Sequence, residues 1–185
     1  PQRQGKDFRY IDDNNRDLTP DEINAEWAEK RLLELANSDD EKPFFMAVGF
    51  LRPHTPLIVP QKYFDMYPLD SIKLANILEN DKDDTFLHLV DQFETKGRRV
   101  RSIEMYKNLV ASYDDNKEGL KRFTQAYLAC VTAVDENIGQ VLSAVNKTKL
   151  KNNTIVIIAS DHGWTMGEKE HVYKNSLWEE STRVP

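Results

Sequence analysis

Residues 155–164 read IVIIASDHGW, an apolar run that stops abruptly at an aspartate, a histidine and a glycine. Unbroken apolar character over so short a length suits a strand covered on both faces, as in a parallel sheet. The pattern therefore predicts a strand over 154–160. A second run, PFFMAVGF at 43–50, predicts another over 44–50. Between them Leu120, Phe123, Tyr127, Val131, Val134, Ile138, Val141 and Val145 recur at threes and fours. That period predicts a long amphipathic helix from about Gly119, with one buried stripe. Strand, loop, long helix and strand follow the order of an α/β domain, with a mostly parallel sheet flanked by helices.

Outside this frame the punctuation is local. In LTPDEINAEWAEKRLLELA, at 18–36, Thr19 reads as a helix N-cap, Pro20 as the first helical residue and Glu22 as the partner in a capping box. Ile23 and Trp27 then share a face. LRPHTPLIVP, at 51–60, cannot continue a strand, because Pro53, Pro56 and Pro60 remove backbone donors and fix the chain. It reads as a rigid loop. From 70 to 115 the pattern dissolves into charge, including ENDKDD and KGRRVR, which predicts a surface excursion, helical in part.

The chain has 185 residues, a normal size for one domain with a substantial core. Its polar opening at 1–15 and its closing STRVP nevertheless suggest a segment of a larger protein. The expectation is one partial domain over 1–185, its sheet incomplete at both ends. A net charge of -6 argues against a general nucleic-acid binder, and no apolar run is long enough to span a bilayer. Cys130 is the only cysteine, so an internal disulfide is excluded; its place in the long helix suggests a core thiol.

In open α/β sheets ligands bind at the carboxyl ends of the strands. Both apolar runs deliver polar groups there, the first to His54 and the second to Asp161 and His162. Asp161 offers a hard anionic oxygen suited to a divalent cation. His162 can add a nitrogen ligand or a hydrogen bond, and Gly163 lets the backbone turn sharply. The same Asp-His-Gly also fits a plain capped turn, His54 fits a packing residue between prolines, and Lys174 fits a solvated surface group. Trp164 and Trp178 read as packing residues and His88 as a solvated one. Glu168 and His171 lie near enough to Lys174 in sequence to line a substrate pocket.

Three blocks in order, PFFMAVGFLRPHTPLIVPQKYFDMYP, VDENIGQVLSAV and NNTIVIIASDHGWTMGEKEHVYKNSLWEESTRVP, resemble the middle of a type I sulfatase of the alkaline-phosphatase-like superfamily. The resemblance is greatest to the iduronate-2-sulfatase and choline-sulfatase branch. It implies that Asp161 and His162 bind the active-site Ca2+ (or Mg2+), that Lys174 contacts the sulfate, and that His54 contacts the sulfate or the leaving oxygen. Cation, lysine and histidine would together stabilise the negative charge that builds as a sulfate ester breaks. The family's nucleophile is a formylglycine made in a C/S-x-P/A-x-R motif. That motif is not in this sequence and is expected upstream, with the remaining metal ligands, so the segment alone is expected to be inactive.

The resemblance favours a sulfated carbohydrate as substrate and an exported protein, periplasmic, extracellular or lysosomal. KGRRVR then reads either as a solvated loop or as a rim that attracts a polyanionic glycan. NKT at Asn146 and NNT at Asn152 match the glycosylation sequon. Two alternatives stand beside the sulfatase reading: a phosphatase or phosphodiesterase of the same superfamily, and a non-catalytic module that binds sulfated glycans.

Overall fold

The computed structural model describes residues 2–3, 6–40, 42–85 and 101–184. Two short antiparallel hairpins come first, β1 (Gln2–Arg3) with β2 (Lys6–Asp7) and β3 (Tyr10–Asp12) with β4 (Asn15–Arg16). Helices α1 (Pro20–Asn37), α2 (Gln61–Asp65), α3 (Arg101–Ala111) and the 31-residue α4 (Asn116–Asn146) follow. A last antiparallel hairpin, β5 (Thr165–Met166) with β6 (Val172–Tyr173), precedes the short α5 (Glu179–Thr182). The chain divides into one unit of Pro1–Pro68 with Ala126–Val156 and a second of Leu69–Gln125 with Ile157–Pro185.

In the first unit α1 starts where its sequence places it. Glu22 N–H donates to Thr19 Oγ1 at 3.3 Å and Thr19 N–H donates to Glu22 Oε2 at 2.6 Å, so both halves of the capping box form. Burial pushes the Glu22 carboxyl up, but the Arg16 guanidinium and the Thr19 bonds outweigh it and hold the group below the usual carboxylate range. The buried stripe of α1 is Ala25, Ala28, Leu32 and Ala36, at helical spacing, while Trp27 is exposed. The face shared by Ile23 and Trp27 is thus not the one that packs. Leu32 meets Ala144 and Val145 of α4, with Phe44, Met46, Val141 and Leu150 around them. Tyr63 of α2 packs on Ala129 and Ala133.

That second cluster corrects the predicted stripe of the long helix. Leu120 and Val145 are buried as expected, but Val131 is exposed and the middle of α4 buries Ala129, Cys130, Ala133 and Asn137. The Tyr63 ring fills the space beside Ala129 and Ala133, so close packing at this contact turns the alanine face of the helix inward. Cys130 is wholly buried, and burial pushes its thiol up to about 11.

The parallel sheet predicted from 44–50 and 154–160 is not confirmed among the described residues: neither run carries a strand ladder, and the strands that form are three antiparallel pairs. Over 44–50 half-buried and exposed residues alternate, with Phe45 95% exposed. That is an extended segment covered on one side. Ile155, Val156, Ile157 and Ile158 are all exposed. A strand forms only where a neighbour takes its N–H and C=O groups, and no described element does so here.

The second unit holds most of the predicted excursion. Ile72 is buried after the turn at Leu69–Ser71, and α3 buries Ser102 and Ile103 and lies against β6 and the turn at Glu168–Glu170. His88 and the basic Lys96, Arg98 and Arg99 fall outside the described residues.

Candidate active site

His54 belongs to the first unit, whereas Asp161, His162, Glu168, His171 and Lys174 belong to the second. Around His54 the proline-rich loop is tied by polar contacts. His54 N–H donates to Leu51 O at 2.8 Å, and the Arg52 side chain donates to Ile58 O at 3.0 Å and to His54 O at 3.2 Å. The His54 ring places Nδ1 2.6 Å from the Thr55 carbonyl. A carbonyl only accepts, so Nδ1 carries the proton. Nε2 then accepts when the ring is neutral and donates only when it is protonated.

His162 repeats this arrangement, with Nδ1 2.8 Å from the Gly163 carbonyl. In the neutral ring Nε2 therefore keeps its lone pair, the state a metal-binding imidazole needs. It stands 3.4 Å from Asp161 Oδ2, and the Asp161 side chain is 84% exposed. Among the described residues no three or more His, Cys, Asp or Glu side chains gather as a metal cluster.

The backbone after this pair is held by close approach. Gly163 N–H donates to Ser181 O at 2.8 Å and Trp164 N–H to Glu180 O at 2.6 Å. A Cβ at Gly163 would lie 2.2 Å from Glu180 O and 2.4 Å from Arg183 O. Glycine is needed here because α5 presses on the chain, and not for the sharp turn expected from sequence. Trp164 is buried against Tyr173, with ring centroids 4.6 Å apart, and is therefore the packing residue its sequence suggested.

Lys174 follows β6 directly and is half-buried. The preceding Tyr173 has φ 94°, and the turn between β5 and β6 contains Gly167 at 119°, Lys169 at 51° and Glu170 at 56°. Left-handed backbone in non-glycine residues is strained and persists only where the surroundings over-determine it. Here they do. The Lys169 ammonium donates to Asp81 Oδ1 at 3.0 Å, Asp81 O at 2.7 Å and Asp84 Oδ1 at 2.7 Å, while Lys82 pairs with Glu170 at 2.6 Å. Its hydrogen bonds to Asp84 and Asp81 raise the Lys169 pKa, and Lys169 in turn lowers that of Asp81. Thr165 Oγ1 donates to Tyr173 O at 2.6 Å, and the Arg101 guanidinium lies 5.9 Å from the Tyr173 ring centre.

Glu168 and His171 are built into the same turn. Glu168 accepts from Met166 N–H at 2.6 Å, and His171 is buried, its Nδ1 2.6 Å from Lys169 O and its ring edge-on to Trp178 at 4.6 Å. Burial pushes the His171 pKa down, against the Lys169 carbonyl and Glu170. The Lys169 clamp was missed in sequence because ENDKDD reads as a solvated charge run; nothing in it points 88 residues ahead to Lys169. Asp21, whose carboxylate accepts from the Leu51 and Arg52 amides, was missed for the same kind of reason, since an acidic residue in a first helical turn is ordinary.

Comparison with known proteins adds a second line of support. The Sulfatase family model matches residues 5–185. A sulfatase of Formosa agariphila is 38% identical over 91% of this chain and 30% of its own length. The iduronate 2-sulfatase of Mus musculus is 34% identical over 90% of this chain and 29% of its own, and an arylsulfatase of Clostridium perfringens 35% identical over 82% and 28%. The chain thus spans about 30% of the length of the curated relatives it matches.

Proposed function

The chain belongs to the sulfatase family, and on that premise we propose that the full-length protein hydrolyses sulfate esters, with His54, Asp161, His162 and Lys174 in its active site. Membership implies an alkaline-phosphatase-like α/β fold. In that fold 44–50 and 154–160 are the strands of the full-length protein's sheet, which accounts for apolar side chains as bare as Phe45 and Ile155. The observation that carries the reading is the Asp161–His162 pair, in which an exposed carboxylate and a correctly tautomerised imidazole nitrogen stand 3.4 Å apart.

The Asp161 carboxylate suits a divalent cation, Ca2+ or Mg2+, which Asp161 and His162 would hold together with ligands from elsewhere in the full-length protein. When bound, the cation supplies positive charge beside the sulfuryl oxygens. Lys174 adds a second charge, carried by the residue directly after the constrained backbone of Tyr173, and stabilises the negative charge as it develops. His54 contacts the sulfate or the departing oxygen through Nε2, because Nδ1 is committed to Thr55. Glu168 and His171 form the wall of the substrate pocket by fixing the turn that carries Lys174. The nucleophile is a formylglycine in a segment upstream of this one.

For substrate we favour a sulfated carbohydrate, in line with the relative named for iduronate, and for location a compartment outside the cytoplasm. Among the described residues no helix is long and apolar enough to cross a membrane. The full-length protein should be assayed on matched aryl sulfate and aryl phosphate esters and on sulfated saccharides. Faster sulfate release is expected. Preferential phosphate release would favour the phosphatase reading, and glycan binding without turnover the binding module.

A further inference from the structure

Asp21 is an unusual first-turn aspartate. Thr19 and Glu22 already complete the cap of α1, and the Asp21 carboxylate is turned away from its own helix. It is 3% exposed. Oδ1 accepts from Leu51 N–H at 2.7 Å and Oδ2 from Arg52 N–H at 2.9 Å, 30 and 31 residues further along. One carboxylate thus takes the two consecutive amides before Pro53, which has none to give. The start of α1 favours the negative charge, and charge-assisted bonds of this kind are short and strong. On the far side of the loop the Arg52 guanidinium closes onto Ile58 O and His54 O. His54 sits between these ties, its own N–H on Leu51 O.

We propose that Asp21 is a positioning residue for the sulfate ester chemistry: it fixes the Leu51 and Arg52 amides, and through the turn they open it sets where the His54 imidazole stands. The proposal rests on the reading of His54 as a contact of the sulfate or leaving oxygen. A misplacement of about 1 Å in a reacting group lowers rate by as much as about 10²-fold. In Asp21→Asn one of the two acceptors becomes an N–H donor facing an N–H. The loop loses one anchor and keeps the other.

The test is a double-mutant cycle in the full-length protein on an aryl sulfate, with kcat and KM separated and bound metal measured. Asp21→Asn should lower kcat by about 10-fold or more with metal content unchanged. In a His54→Ala background the same substitution should lower kcat no further, because its effect travels through His54. Amide exchange at Leu51 and Arg52 should quicken in Asp21→Asn while that of α4 stays as it was. Unchanged kcat in Asp21→Asn, or an equal loss with and without His54, would overturn the proposal alone. Full turnover in His54→Ala would overturn the reading of His54, and the proposal with it. Should Asp21→Asn not accumulate as folded protein, Asp21→Ser, with one short acceptor, is read by the same criteria.

Discussion

Changing Gly163 to alanine tests how the candidate metal pair is held. The added Cβ would lie 2.2 Å from Glu180 O and 2.4 Å from Arg183 O, where ordinary contact begins at 3.4 Å. Both neighbours are backbone, so no side chain can swing aside. The chain at 163 and α5 must part by about 1 Å. Gly163 N–H to Ser181 O and Trp164 N–H to Glu180 O, now 2.8 and 2.6 Å, would then stretch past hydrogen-bonding range. Overpacking costs about 1–3 kcal/mol and each lost backbone bond about 1 kcal/mol, which gives about 3–5 kcal/mol in all. The separation also displaces His162, whose ring is held by the Gly163 carbonyl. Urea unfolding of the full-length Gly163→Ala protein should show that loss, and calorimetric titration should show weakened calcium binding. A stability change below about 1 kcal/mol would refute the close-approach argument.

Asp161→Ala in the full-length protein should lose bound divalent metal together with sulfatase activity, since an anionic oxygen ligand goes; unchanged metal content by elemental analysis would end that assignment. His171 has its pKa lowered by burial, so the unfolded state binds the proton more readily and stability falls as pH drops below the ordinary histidine value of about 6.5. Amide exchange in β6, corrected for its intrinsic rate, should quicken over that window in the native protein and stay flat in His171→Gln; equal pH dependence in both would contradict the sign. Cys130, fully buried with its thiol pushed up to about 11, should react with a thiol reagent at pH 8 only as fast as the fold opens. Rapid labelling of the native protein would contradict its burial.

Features set by neighbouring residues were legible in the sequence. The Thr19–Glu22 cap, the extent of α4 and the burial of Cys130 all follow from local spacing. The facing of the helices was less so. Large apolar residues mark a helix as amphipathic, but which side packs depends on what meets it, and Tyr63 and Leu32 meet alanines. The apolar runs at 44–50 and 154–160 show the same limit more sharply. Their apolar pattern records a requirement for cover, which the described elements supply on one side of 44–50 and not at 155–158. Among the candidate site residues, Asp161 and His162 stand out in the sequence because they directly follow an apolar run. The contacts of Asp21 with 51–52 and of Asp81 with Lys169 do not stand out, because each spans at least 30 residues and no local period encodes it.

The most direct test of the central claim is single-turnover sulfate release from an aryl sulfate by full-length protein carrying Lys174→Ala, with bound calcium and thermal stability measured on the same sample. Removing one charged donor from a developing oxyanion should slow release by roughly 10²-fold or more, with metal and stability unchanged. Release at the unsubstituted rate would place Lys174 outside the reaction and contradict the account.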